Sequence, residues 1–267
     1  MTQGSDYSSD TFAEFYDHFD VYTHRGDVDF FVSEAVAAGG PVLELGCGTG
    51  RVLVPCARAD APMWGLDFSE TMLSRCRLKL ASEPQEVRQR VVLQQGDMRN
   101  FCFDVPFQLV TIPFRPFQHL TKVEEQLACL SSIHRALADG GRLILDVFNP
   151  SLKLLVDDSR FEEQFGGEPF TLPDGRVVQR MERVSSRDYL RQVVNAELIS
   201  YVTHPDGRRE RFVQALQMRY LFRYEIEHLL ARCGFEVEAA YGDYNRTPLE
   251  AGPGQELVYV ARKVGRG

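Results

Sequence analysis

Pro41-Val-Leu-Glu-Leu-Gly-Cys-Gly-Thr-Gly50 decides how the rest of the chain is read. Val42, Leu43 and Leu45 form an apolar run that reads as a buried strand. It ends on three glycines at alternate positions, Gly46, Gly48 and Gly50, and a helical stretch follows from Arg51. A strand that passes through a glycine turn into a helix brings bare backbone N–H groups against a ligand. Glycine tolerates positive φ and has no Cβ, so the ligand can touch the backbone. A tight turn that binds nothing has the same local pattern, so the reading depends on the residues downstream.

Downstream, strands and helices alternate. The first crossover helix is expected over Arg51–Ala59, and Pro55 inside it predicts a helix short or kinked near its start. Met63-Trp-Gly-Leu-Asp67 reads as the second strand, and Asp67 ends it 21 residues beyond Gly46. An acidic residue about 20 positions on suits a ribose diol, because a carboxylate accepts two hydrogen bonds. Asp67 is not needed as the next N-cap, since Ser69 fills that role with Met72 and Leu73 opening the helical face. Arg90–Phe101 holds the third strand and its exit, Gly96-Asp97-Met98. Phe107–Ile112 is the fourth strand and leads into Pro113-Phe-Arg-Pro-Phe-Gln-His-Leu120. Thr121–Leu137 reads as a helix with a glycine C-cap in Ala138-Asp-Gly-Gly141, and Arg142–Val147 as the fifth strand. The alternation predicts a parallel, doubly wound sheet.

Residues 148–220 break that rhythm. Two Asp-Gly turns, Asp174-Gly175 and Asp206-Gly207, separate segments rich in Val, Tyr and Thr. Val177–Val184, Leu190–Thr203 and Arg208–Tyr220 are expected as antiparallel strands of an inserted sheet. Tyr224–Cys233, stopped by Gly234, is a helix, and Phe235–Tyr241 and Leu257–Val264 are the last two strands. Ahead of the glycine turn, Phe12, Phe15, Tyr16, Phe19, Phe30, Phe31 and Val36 recur at helical spacing. A break near Thr23-His-Arg-Gly26 divides them into two helices, with residues 1–10 frayed.

At 267 residues, with 44% hydrophobic and 25% charged residues, the chain is long enough for one large globular domain or a domain with an insertion. A net charge of −8 argues against a general nucleic-acid binder. No apolar run approaches a membrane span, and the polar N-terminus does not read as a secretory signal. Six scattered cysteines, none at C-x-x-C spacing, read as reduced thiols of a cytoplasmic protein and give no metal site.

Arg51 stands where the dinucleotide fingerprint G-x-G-x-x-G has its third glycine, which disfavours NAD. The G-x-G-x-G form, with Glu44 two residues ahead, resembles the first motif of the class I S-adenosylmethionine (SAM) methyltransferases. Gly65-Leu-Asp-Phe-Ser-Glu-Thr-Met-Leu73 resembles their second motif, and Gly96-Asp97-Met98 their adenine-reading motif. The resemblance runs over nearly the whole chain. It implies an α/β fold: a Rossmann-like, seven-stranded doubly wound sheet with an N-terminal helical lid and an inserted antiparallel sheet after strand five. The implied division is a lid at 1–38, a SAM-binding core at 39–150 and 221–267, and an inserted sheet at 151–220 for the acceptor and for a homodimer contact. A looser similarity points to small-molecule N-methyltransferases of nucleotide-linked amino sugars, although Pro113-Phe-Arg-Pro-Phe-Gln-His119 differs from their motif.

The resemblance implies SAM as cofactor and S-adenosylhomocysteine (SAH) as product. It assigns the cofactor to Tyr16, Tyr22, Arg25, Glu44, Gly46, Cys47, Gly48, Gly50, Asp67, Phe68, Met72, Asp97, Met98 and Pro113. Arg25 would take the methionyl carboxylate as a charge-assisted pair. Asp97 would accept from the adenine amino group, with the Met98 N–H on a ring nitrogen. Methyl transfer is an in-line displacement in which the protein aligns donor and acceptor and excludes water. An amine acceptor must be neutral to attack, so a base is useful, and His119 just past strand four is the candidate. Arg115 either contacts the acceptor or pairs with a carboxylate. Phe114 and Phe117 line an apolar wall or belong to the core, and Asn149, Tyr244 and Asn245 are weaker pocket candidates. A small polar acceptor methylated on nitrogen is the leading expectation. Oxygen methylation of a small metabolite and a non-catalytic SAM- or SAH-binding module are the alternatives. Magnesium-dependent catechol-type chemistry lacks a full ligand set, because strand four ends in Thr-Ile-Pro although Asp146 is present.

Overall fold

The computed structural model describes residues 10–23, 25–249 and 256–265. Three short helices open the chain: α1 (Asp10–Tyr16), α2 (Asp20–Thr23) and α3 (Val28–Ala37). The break between α2 and α3 falls where the sequence places it, and a second break after Tyr16 splits the first aromatic stretch. The expectation for residues 1–9 lies outside the described residues.

The core then alternates as β1 (Val42–Leu45), α4 (Leu53–Arg58), β2 (Met63–Asp67), α5 (Glu70–Ala81), α6 (Gln85–Gln89), β3 (Val91–Gln95), β4 (Phe107–Ile112), α7 (Val123–Ala136) and β5 (Leu137–Phe148). After α8 (Leu152–Leu155) come the strands of the insertion: β6 (Gln164–Phe165), β7 (Phe170–Thr171), β8 (Val177–Asp188), β9 (Val193–Thr203) and β10 (Arg209–Arg219). Helix α9 (Arg223–Arg232) and strands β11 (Phe235–Tyr241) and β12 (Glu256–Lys263) return to the core.

The seven core strands run in the order β11-β12-β5-β4-β1-β2-β3. β1 pairs in parallel with both β2 and β4, while β12 runs antiparallel to its neighbours β5 and β11. β1 and β4 therefore lie side by side at the point where strand order reverses. Their carboxyl ends open the crevice in which such sheets bind ligands. Both strands are buried on both faces, which is why they read as continuous apolar runs. Leu43, Leu45, Val110, Ile112, Leu143 and Leu145 pack on α7 and α9 on one side, and Val42, Leu109 and Ile144 on α3 and α4 on the other.

The second sheet has the order β10-β9-β8-β6, with β7 also on β8. Its face carries Val178, Leu198 and Val202, and these bury Phe12, Phe15, Phe19 and Tyr22 of the N-terminal helices. The N-terminal aromatics thus share one apolar cluster with the insertion. β6 and β7, two residues each, are too short to leave a periodic signal.

Of two local expectations, one holds and one is corrected. Helix α4 is short, at 6 residues, with Pro55 in its first turn, where the leading N–H groups have no intrahelical partner. Helix α7 does not end on a glycine: Leu137 turns to extended backbone at φ −73°, ψ 139°, and Gly140, at φ 73°, serves a turn three residues later. Gly234, at φ 84°, does stop α9 as expected.

Candidate active site

A cavity of about 840 Å³ opens along the carboxyl ends of β1, β2 and β4 and continues to the inserted sheet. Its floor is the glycine turn. Gly46, Gly48 and Gly50 have φ of 71°, 54° and 79°. At Gly46 the missing side chain has a second purpose, since a Cβ there would lie 2.8 Å from Pro116. Gly46 therefore lets the turn after β4 close against the turn after β1. Gly50 does not line the cavity; a Cβ there would lie 2.6 Å from Cys76 Sγ, so this glycine serves the packing of α5.

Asp67 ties the neighbouring turns together. Its Oδ2 accepts from the Gly48 N–H at 2.7 Å and its Oδ1 from the Ser69 N–H at 2.8 Å. Burial pushes its carboxyl up, and these backbone donors oppose the shift. Ser69 caps α5 by accepting from the Met72 N–H at 3.3 Å. Cys47 and Met72 lie buried along the same wall, and Phe68, 75% exposed, forms an apolar lip. Asp97 and Met98 line the next stretch. Asp97 accepts from the Arg99 N–H at 2.8 Å and from the Arg99 guanidinium, which holds its carboxyl below the usual range.

Glu44 is 2% exposed, and its Oε2 has no hydrogen-bond partner. Burial pushes its carboxyl up to about 8. An orphaned acidic oxygen at the cavity wall is the group that a ligand ammonium would satisfy. Above the floor, Tyr16 stacks on Tyr22 with ring centroids 4.5 Å apart, and both rings line the cavity.

Arg25 does not line the cavity, and its Nη2 is taken, while its Nε has an ion-pair neighbour but no hydrogen bond. Its Nη2 lies 3.1 Å from Asp146, 2.9 Å from Glu256 and 2.7 Å from the Tyr244 hydroxyl, and its Nε is 3.3 Å from Asp27. Its place outside the cavity corrects its expected role as receiver of a ligand carboxylate. Arg51 lines the cavity instead, held by Asp27 through two bonds of 2.6 and 2.7 Å. A guanidinium has five donors, so Arg51 has capacity beyond Asp27. Its only mark in the sequence is that it displaces the third glycine of the dinucleotide fingerprint.

After β4 the backbone does something the sequence does not announce. Phe114 and Arg115 are both left-handed, with φ of 66° and 71°. Neither is a residue type that favours that region. Pro113, Phe114 and Arg115 line the cavity there. Arg115 pairs with Glu256 through both Nε and Nη2, so of its two readings the ion pair is the one observed. Phe117 is core, at 1% exposure. His119 ends the following 3-10 turn, Pro116–His119, and reaches the cavity. Its Nδ1 is 3.0 Å from the Gln217 carbonyl oxygen on β10. A carbonyl only accepts, so Nδ1 carries the proton and the neutral ring has its lone pair on Nε2. Burial lowers the His119 pKa, which favours that neutral form. The inserted sheet closes this end with Arg180, Glu182, Leu198, Leu216 and Met218, none of which stood out in the sequence. Asn149, Tyr244 and Asn245 do not line the cavity.

Residues 42–141 match the family model described as a methyltransferase domain. The cypemycin N-terminal methyltransferase of a Streptomyces species is 28% identical over 231 residues, 84% of this chain and 84% of that protein. Among solved structures, the CcbJ methyltransferase from Streptomyces caelestis superposes with a TM-score of 0.74 at 25% identity, covering 95% of this chain and 96% of that one. SAM-bound CalS10, an amino pentose methyltransferase from Micromonospora echinaspora, shares the fold at a TM-score of 0.67 and 24% identity, over 97% and 98% of the two chains.

The chain is a SAM-dependent methyltransferase. The methyltransferase offers SAM a fitting cradle: left-handed glycines whose bare backbone faces the cavity, an orphaned buried carboxyl oxygen at Glu44, and the Asp67 carboxylate one strand over. Among the described residues no helix is long and apolar enough to cross a membrane.

Proposed function

We propose that this methyltransferase acts on a small polar acceptor at an amine nitrogen. SAM supplies an electrophilic methyl on a sulfonium, whose thioether leaves without needing a proton. The remaining tasks fall to the chain. Gly46, Cys47 and Gly48 present backbone to the methionyl end, Glu44 faces its ammonium, and Arg51 rather than Arg25 faces its carboxylate. Asp67 holds the ribose hydroxyls. Asp97 and Met98 read the adenine beside Met72 and Phe68. Tyr16 and Tyr22 cover the cavity, and Pro113 lines it where the acceptor enters. The acceptor lies toward the inserted sheet, where Glu182 lines the cavity with Arg160 and Arg180 as its ion-pair partners.

The observation that carries the amine reading is His119. Its hydrogen bond to Gln217 fixes the tautomer with the lone pair on Nε2, and burial favours the neutral ring, which is the state a general base needs to take a proton from a nitrogen nucleophile. The name of the cypemycin N-terminal methyltransferase supports the same class. An acceptor screen of amines, amino sugars and hydroxylated metabolites with SAM tests the reading. With the amine it finds, His119→Gln is expected to lower kcat by about 10²-fold or more while leaving SAH affinity unchanged. Turnover of hydroxyl compounds alone refutes the amine assignment. The inserted sheet is also proposed as a homodimer surface. Sedimentation is expected to give a dimer at micromolar concentration, and a monomer there refutes it.

A further inference from the structure

Five side chains form a line of alternating charge behind the cavity: Arg115, Glu256, Arg25, Asp27 and Arg51. Arg115 pairs with Glu256, which lies 2.9 Å from Arg25; Arg25 lies 3.3 Å from Asp27, which holds Arg51 at 2.6 Å. The two ends line the cavity, Arg51 beside the glycine turn and Arg115 in the turn after β4. Asp146 doubles the middle of the line. It lies 3.1 Å from Arg25, accepts from the Tyr244 hydroxyl and takes the backbone N–H of Arg115 at 3.3 Å. Three guanidiniums thus face three carboxylates, and the side chains of Asp27 and Asp146 are fully buried.

The same arginines also hold Phe114. The Arg25 and Arg51 guanidinium carbons lie 4.6 and 5.3 Å from its ring centroid, and Tyr22 meets it edge-on at 5.2 Å. Two successive left-handed residues persist only where their surroundings over-determine them. Here those surroundings are this line of charge. Arg25 belongs to neither turn. It lies between α2 and α3, and its partners sit on β5, on β12 and in the loop before β12.

We infer that Arg25 is a positioning residue for methyl transfer: it latches the N-terminal segment across the sheet ends and couples the Phe114–Arg115 turn to the cofactor turn. The inference rests on the SAM cofactor and not on the nature of the acceptor. It makes the occupancy of the cofactor turn sensitive to a residue that does not itself line the cavity.

The test uses the full chain with SAH as the calorimetric ligand. Absence of SAH binding in the unaltered protein would overturn the cofactor assignment itself, and so is distinguishable from failure of the latch. Arg25→Gln is expected to weaken SAH by about tenfold and to speed chymotrypsin cleavage at Phe19 and Tyr22, with saturating SAH restoring protection. Arg25→Lys is expected to recover much of the melting temperature but not the affinity, because a single ammonium cannot reach Asp27 and the Asp146–Glu256 pair together. In the double variant with Arg115→Gln, the combined loss is expected to fall short of the product of the single losses, since a line already cut cannot be cut again. Tyr244→Phe, which removes one hydroxyl, decides the matter if the arginine variants do not fold, with an expected loss of roughly threefold. Unaltered SAH affinity in the folded variants, or single losses that multiply, would overturn the inference and leave Arg25 a structural ion pair.

Discussion

Glu44 is the residue at which the site and the stability of the chain meet. Burial raises its carboxyl from the usual 4.5 to about 8, so between those values the folded chain holds a proton that the unfolded chain has lost. Its contribution to stability is therefore fully present below the unfolded value and is lost as pH rises through the folded one. A ligand ammonium placed against Glu44 favours the ionised form, so binding reverses the shift. SAH binding at pH 7 is expected to release up to about one proton, read as a dependence of the calorimetric enthalpy on buffer ionisation. Glu44→Gln is expected to abolish that release, and its melting temperature should gain on the parent as pH rises from about 5 to about 9. Equal enthalpies in buffers of different ionisation heat would show that Glu44 does not meet the ammonium.

At the scale of elements, the 3-10 turn Pro116–His119 is the joint between the core and the inserted sheet. Gln118 is fully buried and bridges the two: its Oε1 accepts from the Phe148 N–H at 3.0 Å, and its Nε2 donates to the Arg219 carbonyl at 2.9 Å. His119 bonds Gln217, two residues along the same edge of β10. Gln118→Ala leaves a buried donor and a buried acceptor without partners, at roughly 1–3 kcal/mol each. Urea unfolding is expected to show a destabilisation of about 2–6 kcal/mol. Turnover should suffer more than SAH affinity, because Gln118 itself bonds β5 and the inserted sheet and not the glycine turn; an unchanged urea midpoint would refute the joint. This joint is not legible in the sequence, where Gln118 carries no periodic or turn signal. β1, β2 and β4 are legible to within a residue, because buried parallel strands are mainly apolar and these are punctuated by a glycine, an acidic residue or a proline at the exit. The left-handed Phe114–Arg115 pair is not, because long-range ion pairs impose it where glycine would otherwise mark it. The occupancy of Arg25 is hidden for the same reason: its partners Asp146 and Glu256 lie 121 and 231 residues away.

Over the whole molecule, one cavity is walled by three stretches distant in sequence: the N-terminal helices through Tyr16 and Tyr22, the core through the glycine turn, and the insertion through Arg180, Glu182 and Leu198. The proposed division of labour gives the first two to the cofactor and the third to the acceptor. Hydrogen exchange separates them, because a ligand slows opening only in the segments it holds together. SAH alone is expected to slow exchange around residues 46–50 and across 10–23, the latter because Tyr22 packs on Phe114 and Arg25 anchors the C-terminal end of that segment to β5. The inserted strands should respond in two ways. The part of β8 and β9 that buries Phe12, Phe15 and Phe19 should slow together with the N-terminal helices, since they share one apolar cluster. The part of β10 around Gln217 should slow only when an acceptor is added to SAH, because Leu216, Gln217 and Met218 line the end of the cavity assigned to the acceptor. Protection of β10 by SAH alone, equal to that of the glycine turn, would mean that the cofactor itself reaches the insertion and would refute the division.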